Sequence, residues 1–529
     1  MDEYQICREI ISRIYSSKIT QSDLQKIKNQ ICKKYGLSDL PKNSAILAAA
    51  NTEEYEYLRR LLLVKPGRTL SGVAPIAVMT SPYPCPHGKC LPCPGGPDHP
   101  FGSPQSYTGE EPAALRGRQY EFDPYLQVQA RLTQFTELGH KVNKAELIVM
   151  GGTITARPPK YQEMFVSECI RAMNEFGSDR TSPGDSGGIG KVSKENESAY
   201  VRCIAITFET RPDYCGKDEI NRMLDLGVTK VEIGVQHLDD EILRYNERGC
   251  GVKETVIANT LLRDAGIKVG FHMMPNLPMS SIEKDRWMFE KLWEDSRFRP
   301  DFLKIYPTLV TEGSGIEKLW REGKYTVYNE DKLIDLVAYA KSLLPDYVRL
   351  QRMQRDIPAR LIIAGSKHSN FRQLAKKRLT EQGRKCRCIR CREVGRAPIN
   401  GEKPIISVTE YKCCDGREFF IQAGTKSSLI GFSRLRFPSS VFREELDNAA
   451  IMRELHVYGL AVAIGEEAET GEWQHRNYGK KLLETAENIA ASGGYEKLAV
   501  MSGIGVRPYY HRLGYERRGP YMIKRLERT

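Results

Sequence analysis

The chain lacks any hydrophobic run long enough to cross a membrane: no stretch of about eighteen consecutive apolar residues occurs. Its first ten residues, MDEYQICREI, contain neither the basic start nor the apolar segment of an export signal. Histidine and tryptophan are scarce, with nine and four residues in 529. Together with 14 cysteines in a long chain, these absences predict a protein without a membrane span and with reduced thiols in the cytoplasm, rather than a disulfide framework.

Length and charge are what the sequence has in abundance. A chain of 529 residues exceeds the size at which one hydrophobic core keeps growing, which predicts at least two domains. The formal charge is +12, and residues 349–396 contain fifteen Lys and Arg but three Asp and Glu, an equally large excess. Such a block favours nucleic acid through counterion release, and a solvated surface is the alternative interpretation.

Four segments of different texture follow one another along the chain. Residues 1–70 have apolar side chains at helical spacing with basic residues between them, which predicts a basic helical module for RNA. Residues 71–348 contain short apolar runs alternating with helical stretches, and each run ends in Gly, Pro or polar residues. Residues 349–400 form the basic linker, and residues 401–529 predict a second α/β domain.

The alternating runs predict the fold class, a multidomain α/β protein. Buried strands that are each followed by a helix form a parallel sheet covered by helices, as in a full or partial (β/α) barrel. In such folds the functional residues lie at the carboxyl ends of the strands. One stretch, residues 177–198, is poor in apolar side chains and predicts a disordered insertion.

Three cysteines, Cys85, Cys90 and Cys93, lie in a loop rich in proline and glycine, with four and two residues between them. Three thiols suit a cubane iron–sulfur cluster, because they ligate three irons and leave the fourth open for a substrate. A structural zinc ion takes four ligands instead. His87 lies within the loop, so zinc and redox-active thiols stay open on the loop alone.

A second group of three thiols, Cys386, Cys388 and Cys391, lies inside the basic linker. A tetrahedral zinc site needs one more ligand, and His368 is the only histidine in residues 273–455. The pattern predicts a Cys₃His zinc site that holds the neighbouring arginines toward RNA. A Cys₃ site closed by water, or reactive thiols, is the alternative.

A turn near the C-terminus opens a predicted helix. The first N–H groups of a helix have no partners within it, which makes them a pyrophosphate site. The segment from Gln474 to Gly479 resembles the Q-x-x-G-x-G/A loop of GNAT acetyltransferases. Asn477 replaces the middle glycine, and asparagine tolerates left-handed backbone angles. A preceding strand, a following strand and the terminal tyrosine run support this resemblance.

The GNAT resemblance implies which residues bind acetyl-coenzyme A. They are Glu454, Leu455, His456, Val457, Gln474, Tyr478, Gly479, Lys480 and Tyr510. Tyr510, with Tyr509 beside it, would contact the coenzyme thiol or donate a proton to the leaving thiolate. Packing in the core is the alternative for both tyrosines.

The first cysteine loop and the strands after it resemble the radical S-adenosylmethionine enzymes. The strand ends read Gly-Gly-Thr at residues 151–153 and Glu-Thr-Arg at residues 209–211. That family usually spaces its cysteines by three and two residues, so the four-and-two spacing is a departure. With the runs PGGPD at residues 94–98 and QSYTG at residues 105–109, the chain closely resembles the Elongator catalytic subunits of the single-subunit type.

This resemblance implies the cofactors and their ligands. The three loop cysteines would hold a [4Fe–4S] cluster, and Lys144 would contact acetyl-coenzyme A from the radical side. S-adenosylmethionine would be bound by the backbone of two glycines and by three polar side chains, namely Gly151, Gly152, Glu209, Arg211 and Gln236.

The resemblance further implies one reaction that uses both cofactors. A deoxyadenosyl radical takes a hydrogen atom from the methyl group of acetyl-coenzyme A, and the carbon radical adds to C5 of the wobble uridine, uridine 34, of transfer RNA. Hydrolysis then leaves 5-carboxymethyluridine. The expected partners are the anticodon stem-loop, an electron donor and a second copy of the chain. The alternatives are a protein lysine acetyltransferase with a structural iron–sulfur cluster and a non-catalytic RNA-binding scaffold.

Overall fold

Four helices form the N-terminal module in the computed structural model, which describes residues 2–17, 21–64, 66–98, 102–177, 187–368, 370–399, 401–459 and 477–527. They are α1 (Glu3–Ser17), α2 (Gln21–Tyr35), α3 (Asn43–Ala48) and α4 (Thr52–Leu62). The apolar residues at helical spacing meet in one core, where Ile10, Ile14 and Ile31 are fully buried. The predicted helical character of this segment is confirmed.

Seven parallel strands form the central sheet, in the order β1-β2-β3-β4-β5-β6-β8. They are β1 (Ala74–Met79), β2 (Lys144–Met150), β3 (Arg202–Thr210), β4 (Lys230–Gln236), β5 (Lys268–Met273), β6 (Phe302–Ile305) and β8 (Arg349–Arg352). Since β1 and β8 do not pair with each other, the sheet is a half-barrel with two edges. The predicted partial barrel is confirmed, although β1 and β8 were not predicted, and β8 lies within the predicted linker.

Helices cover the outer face of this sheet because each strand returns to the next through a helical crossover. They are α5 (Pro112–Gln119), α6 (Pro124–Glu137), α7 (Pro159–Glu175), α8 (Gly188–Asn196), α9 (Lys217–Asp225), α10 (Asp240–Tyr245), α11 (Val252–Asp264), α12 (Ile282–Glu294), α13 (Gly315–Arg321) and α14 (Glu330–Ser342). Leu147 and Val149 of β2 point toward the helices and are fully buried, whereas Glu146 and Ile148 point inward.

The stretch predicted to be disordered is partly a helix. Residues 188–196 form α8, in which Val192 and Asn196 are buried. The Asn196 side chain donates to the Val201 carbonyl at 3.0 Å and accepts from the Cys203 amide at 2.7 Å, so it ties the helix to β3. The prediction of disorder is wrong for this part, because a few buried contacts replace a large apolar face. Residues 178–186 lie outside the described residues.

The linker contributes β9 (Ile362–Ala364), which pairs with β7 (Val310–Thr311), and two helices, α15 (Phe371–Glu381) and α16 (Ile389–Arg392). A second sheet follows in the order β10-β11-β12-β13-β14-β16-β15. Its elements are β10 (Ile405–Cys413), β11 (Gly416–Gly424), β12 (Leu429–Phe437), β13 (Ala449–Val457), α17 (Tyr478–Ser492), β14 (Lys497–Val500), α18 (Arg507–His511), β15 (Glu516–Arg518) and β16 (Tyr521–Arg525). The predicted second α/β domain is confirmed; its exact boundaries and those of the other segments stay predictions.

Buried charges join the two sheets. Arg453 of β13 donates to both carboxylate oxygens of Asp301 at 2.8 Å, and to Glu418 of β11 at 2.8 Å. Arg263 of α11 bonds the same Glu418 at 3.0 Å. The contact is also close at Gly503, where a Cβ would lie 1.9 Å from the Ile204 carbonyl oxygen. Removing one member of such a network leaves an unpaired buried charge, so the network fixes how the domains meet.

No helix in the described part of the chain combines the length and the apolar character that a membrane crossing requires.

Candidate active site

A cavity of about 850 Å³ occupies the inside of the half-barrel. Its wall contains the loop cysteines and the inward residues of successive strands, among them Glu146, Glu209, Glu232, His272, Lys304 and Gln351. Parallel strands bring their carboxyl ends to one edge, and the cysteine loop between β1 and α5 folds over that edge. The carboxyl ends of the strands and the cysteine loop therefore line one continuous cavity.

The three loop sulfurs are surrounded by polar groups. Cys93 Sγ receives the Gln105 side-chain amide at 2.9 Å, and Cys90 Sγ lies 3.0 Å from His87 Nε2. Cys85 Sγ lies 3.6 Å from the Thr153 hydroxyl. Burial raises the pKa of the Cys85 and Cys90 thiols, so a cation is needed to hold them as thiolates.

The spacing of these sulfurs suits a cluster rather than a single ion. In the described residues, a group of three cysteines whose sulfurs all lie within 4.8 Å of one another occurs at residues 386–391 and not in this loop. A cubane binds each thiolate to a different iron, so it holds its sulfurs farther apart than one zinc ion does. The donor set therefore fits an iron–sulfur cluster.

The Gly-Gly turn after β2 leaves backbone open to the cavity. Gly151 has φ +129° and Gly152 has φ +90°, both in the region that favours glycine. A Cβ at Gly151 would lie 2.0 Å from the Thr80 hydroxyl, and one at Gly152 would lie 3.1 Å from the Gln105 carbonyl oxygen. Gly152 lines the cavity, so close approach of a ligand to this backbone is possible.

The three predicted polar ligands differ in how free they are. Glu209 accepts from the Tyr107 hydroxyl at 2.6 Å and pairs with Lys304 at 3.1 Å. Arg211 forks onto Asp213 at 2.8 and 2.9 Å and contacts His87. The Gln236 side-chain oxygen is buried without a hydrogen-bond partner among the described residues. Of the three, Gln236 is the one that presents an unused polar atom.

Arg248 was not predicted from the sequence. It is 8% exposed, lines the cavity, donates to the Gly234 carbonyl at 2.6 Å, and lies 3.8 Å from Cys90 Sγ. Its Nε has no partner among the described residues. A buried guanidinium whose hydrogen-bonding capacity is not exhausted suits a ligand carboxylate. No local pattern distinguishes this arginine from the many others in the sequence.

A chain of alternating charges runs along the inner wall. Lys304 pairs with Glu209 and Glu232, and Lys230 pairs with Glu232 at 3.1 Å and Glu146 at 3.2 Å. His272 Nε2 lies 3.1 Å from Glu232. Burial alone would raise the pKa of Glu232, but Lys304 and Lys230 hold it well below its usual range. Although Glu209, Glu232 and His272 are close enough to share a metal, the Lys304 ammonium already supplies the cation.

The second cysteine group has a different geometry. The sulfurs of Cys386, Cys388 and Cys391 lie within 4.8 Å of one another, as the ligands of one ion do. The structure does not bring His368 to them: its Nε2 lies 2.6 Å from Glu330, and its side chain is 50% exposed. The predicted fourth ligand is thus paired elsewhere, at the N-terminus of α14.

Arginines line both edges of the half-barrel. Those on the β1 side are Arg68, Arg116 and Arg131, and those on the β8 side are Arg349, Arg352, Arg355 and Arg390. Arg390 lies between two residues of the second cysteine group, Cys388 and Cys391, in the short helix α16. The group therefore lies next to an arginine that lines the cavity, and the prediction that it holds arginines toward RNA stays a prediction.

The second sheet opens where the predicted coenzyme site lies. β13 pairs with β14 over residues 449–452 but continues to Val457, so β14 does not pair with residues 453–457. Helix α17 begins beside this opening, after Asn477, whose φ is +58° and whose side chain makes no cap. The positive end of the α17 dipole therefore lies beside this opening. Gln474 lies outside the described residues.

The predicted coenzyme residues point in two directions. Leu455, Val457 and Tyr478 pack with the core of the second domain. Glu454 bonds Arg434 at 2.8 Å. His456, on the same face, stacks on Phe432 with ring centroids 6.1 Å apart, and Lys480 is 60% exposed. At this opening, β13 therefore presents its backbone, and not every predicted side chain is available to the coenzyme.

The two tyrosines occupy different positions. A Cβ at Gly479 would lie 3.2 Å from the Tyr509 hydroxyl, so this hydroxyl is next to the start of α17. Tyr510 is 5% exposed, belongs to the domain core, and has a pKa raised by burial. The geometry gives Tyr509 the more direct access to a ligand at this helix.

Lys144 begins β2 at the end of the strand remote from the cysteine loop. It shares the inward side of β2 with Glu146 and Ile148, yet it does not line the described cavity. Burial and then the nearby Arg202 lower its pKa to about 8. Gly505 of the second domain packs on Arg202, so Lys144 lies close to where the two domains meet.

Known proteins share the order of segments along this chain. The ELP3 N-terminal domain matches residues 3–70, the Radical SAM superfamily residues 81–289, and the Radical_SAM C-terminal domain residues 300–381. The chain is 48% identical to the tRNA uridine(34) acetyltransferase of Methanocaldococcus jannaschii over 92% of this chain and 91% of that protein. It is 42% identical to Elongator complex protein 3 of Homo sapiens, covering 96% of this chain and 93% of that protein.

A solved structure, the archaeal Methanocaldococcus infernus Elp3 with an N-terminus deletion (1–46), is also similar. It superposes with a TM-score of 0.75 at 42% identity and covers 87% of this chain and 100% of that one. Half-barrel, cysteine loop and second sheet are therefore shared with a chain of the same kind. The protein belongs to the Elp3 family of radical S-adenosylmethionine enzymes.

Proposed function

We propose that the chain modifies C5 of uridine 34 in transfer RNA, forming 5-carboxymethyluridine from acetyl-coenzyme A by radical chemistry. The observation that carries this proposal is the cavity, which joins three cluster-type thiols to an edge of unpaired arginines. Relatives named tRNA uridine(34) acetyltransferase match nearly the whole chain. We expect the reaction in the cytoplasm; the electron donor and the homodimer stay predictions.

On this proposal Cys85, Cys90 and Cys93 ligate a [4Fe–4S] cluster, and S-adenosylmethionine binds beside it. When bound, these two cofactors supply the radical that removes a hydrogen atom from the acetyl methyl group. Gln236 offers an unused amide oxygen, and Arg248 offers a guanidinium to the amino-acid part. Glu209 pairs with Lys304, and Arg211 contacts His87. Each of the two ligands therefore positions a neighbouring side chain as well as contacting the cofactor.

Acetyl-coenzyme A would bind in the opening between β13 and β14. The start of α17, at Tyr478, Gly479 and Lys480, suits its pyrophosphate, because the first turn of a helix presents N–H groups at the positive end of the helix dipole. The part of β13 that β14 does not cover, beginning at Arg453, suits the pantetheine amides. Tyr509 then lies where a thiolate would leave, with Tyr510 behind it.

Zinc is proposed for Cys386, Cys388 and Cys391. Three thiolates at this spacing leave one tetrahedral position, which a water molecule can fill when His368 is paired with Glu330. The role is structural, since the site fixes α16 and with it Arg390 at the cavity wall.

A protein lysine acetyltransferase is the less favoured alternative. Such an enzyme needs a base near the acyl group to deprotonate the incoming amine. Glu454 is bonded to Arg434, and Glu487 accepts from the Tyr515 hydroxyl at 2.6 Å, so neither carboxylate is free for that task.

The test is anaerobic reconstitution of the full chain with iron and sulfide, followed by incubation with a one-electron reductant, S-adenosylmethionine, acetyl-coenzyme A and transfer RNA. Mass spectrometry of the nucleosides should show carboxymethyluridine only when the reconstituted chain and all four additions are present. Acetyl transfer to a lysine peptide without S-adenosylmethionine would favour the alternative instead.

Lys144 gives a separate test of the coenzyme site. Because its pKa is lowered to about 8, its ammonium is present below that pH and is lost above it. Affinity for acetyl-coenzyme A should fall by about tenfold between pH 7 and pH 9 if the ammonium contacts the coenzyme. Lys144→Arg keeps its charge and should abolish this dependence; identical pH profiles for both proteins would remove Lys144 from the site.

A further inference from the structure

The arginines on the two edges of the half-barrel differ in their partners. On the β8 edge, Arg349 pairs with Glu393 at 2.9 Å and Arg352 pairs with Asp356, whereas Arg355 donates to the Ser106 carbonyl oxygen. On the β1 edge, Arg68, Arg116 and Arg131 line the same cavity, and we call them the arginine triad. The comparison raises the question of what neutralises the triad.

The hydrogen bonds of the triad go to neutral groups. Arg116 donates to the carbonyl oxygens of Pro112 at 3.0 Å and Ala77 at 3.3 Å, and Arg131 donates to the side-chain amide of Gln134. The Nε atoms of Arg116 and Arg131 are buried and without a partner. Within the described ranges of the chain, no carboxylate pairs with any of the three.

The triad is therefore a concentration of positive charge that the protein itself does not balance. Burial and then Arg116 and Arg68 lower the pKa of Arg131 to about 10, and burial and then Arg68 lower that of Arg116. Holding like charges together in a partly buried wall is unfavourable, so an anion would be stabilised here.

We propose that the arginine triad binds a backbone phosphodiester of the RNA substrate. A planar guanidinium matches two phosphate oxygens, and three of them around one wall hold a single phosphate in a defined position. The triad lines the same cavity as Cys93 and Gly152, so a phosphate held there keeps the adjoining nucleotide within the cavity that contains the cluster loop. This inference rests on the proposed function for the identity of the anion as RNA.

The position of the triad in the sequence explains why it is not an obvious basic patch. Arg68 ends the N-terminal module, Arg116 belongs to α5 and Arg131 to α6. None of them lies in the basic linker, and only the packing of α5 and α6 along β1 brings them together. Coenzyme A also carries phosphates, so the test must separate the two sources.

The experiment measures binding of an anticodon stem-loop RNA to the full chain by fluorescence anisotropy over a series of KCl concentrations. The triple variant Arg68→Gln, Arg116→Gln, Arg131→Gln should bind about tenfold more weakly for each arginine removed at moderate salt. The slope of log Kd against log salt should fall by about 0.7, as expected when one phosphate of a single-stranded backbone is no longer neutralised. Arg118→Gln, an exposed position on α5 that does not line the cavity, is the matched control and should retain the full slope.

Three further measurements make each outcome decisive. The melting temperature of the triple Gln variant should be unchanged or raised, because the substitutions relieve repulsion between the arginines. If the melting temperature falls instead, the triple Arg→Lys variant must restore the salt slope, and its failure to do so overturns the proposal. The proposal is also overturned if the triple Gln variant binds RNA as tightly as the unchanged chain. It is overturned as well if this variant loses affinity for coenzyme A only. If the intact chain makes no modified uridine but the triple Gln variant loses its affinity for RNA, the proposed function is wrong and the phosphate-binding role of the arginine triad is supported.

Discussion

The molecule contains two groups of three cysteines that look alike in sequence but differ in structure. Cys85, Cys90 and Cys93 are spread over a loop at the carboxyl ends of parallel strands. The cysteines at residues 386–391 bring their sulfurs within 4.8 Å, on a turn and a short helix in the basic linker. The sequence thus contains the same three thiol ligands twice. The path of the backbone decides whether their spacing suits a cluster of several metal atoms or a single ion.

The surroundings of the two groups differ in the same sense. The loop sulfurs face a cavity and receive contacts from Gln105, His87 and Arg248, so a bound metal there meets ligands and substrate. The linker sulfurs lie among arginines, where the proposed zinc ion would stabilise the chain and orient Arg390. On the proposed function, the loop group serves the reaction and the linker group serves the position of an arginine.

The largest effect is expected from Cys90→Ser. Loss of one cluster ligand should abolish uridine modification, a decrease of about a thousandfold or more, while thermal unfolding changes little. Iron content and the visible absorbance of the reconstituted protein report the same loss. Cys250→Ser is the control, because Cys250 lies near Cys90 but outside the loop; if it also lost iron, the ligand assignment would be wrong.

Exposure to air should separate the two metals. An iron–sulfur cluster with an open iron is attacked by oxygen, whereas zinc has no redox chemistry in proteins. We expect the visible absorbance and the activity to disappear together, with zinc content unchanged by elemental analysis. Loss of zinc at the same rate would mean that the linker thiols carry an oxygen-sensitive group.

Cys388→Ala should act on stability rather than on chemistry. Cys388 is fully buried, and its removal takes away a metal ligand, so the melting temperature should fall by roughly 5–10 °C. Zinc content should drop while iron content of the reconstituted protein is retained. An unchanged melting temperature with zinc still bound would rule out the structural site.

His368→Ala should have the smallest effect. It removes a half-exposed ion pair with Glu330, which is worth about 0–1 kcal/mol. Zinc affinity should stay the same, because His368 is not near the three thiols. A loss of zinc comparable to that of Cys388→Ala would restore the ligand set predicted from the sequence.

Much of the central fold was predictable from alternating apolar runs. The runs at residues 145–150, 228–235 and 302–305 each place several apolar side chains in the buried core, so their strand character is easily seen. β8, with sequence RLQR, was missed because its charged side chains face the cavity and the linker. Helix α8 was missed because it is held by Asn196 rather than by an apolar face.

The site was predictable only where a motif is local. Cys85, Cys90, Cys93 and the Gly-Gly turn are read from neighbouring residues, as is Asn477 before α17. Lys304, His272 and Arg248 come from different strands and loops, and each looks ordinary in its own segment. Their local sequence does not distinguish them, because their role depends on the residues that face them across the half-barrel.

By itself, the sequence determined the ligand types, the parallel sheet and the family, because spacing within a loop and hydrophobic period along a strand are local properties. The tertiary structure decided which cysteines come together, that His368 pairs with Glu330, and that Arg68, Arg116 and Arg131 share one wall. The physical reason is that charges and ligands act over a few ångströms in space, and folding brings together residues far apart along the chain.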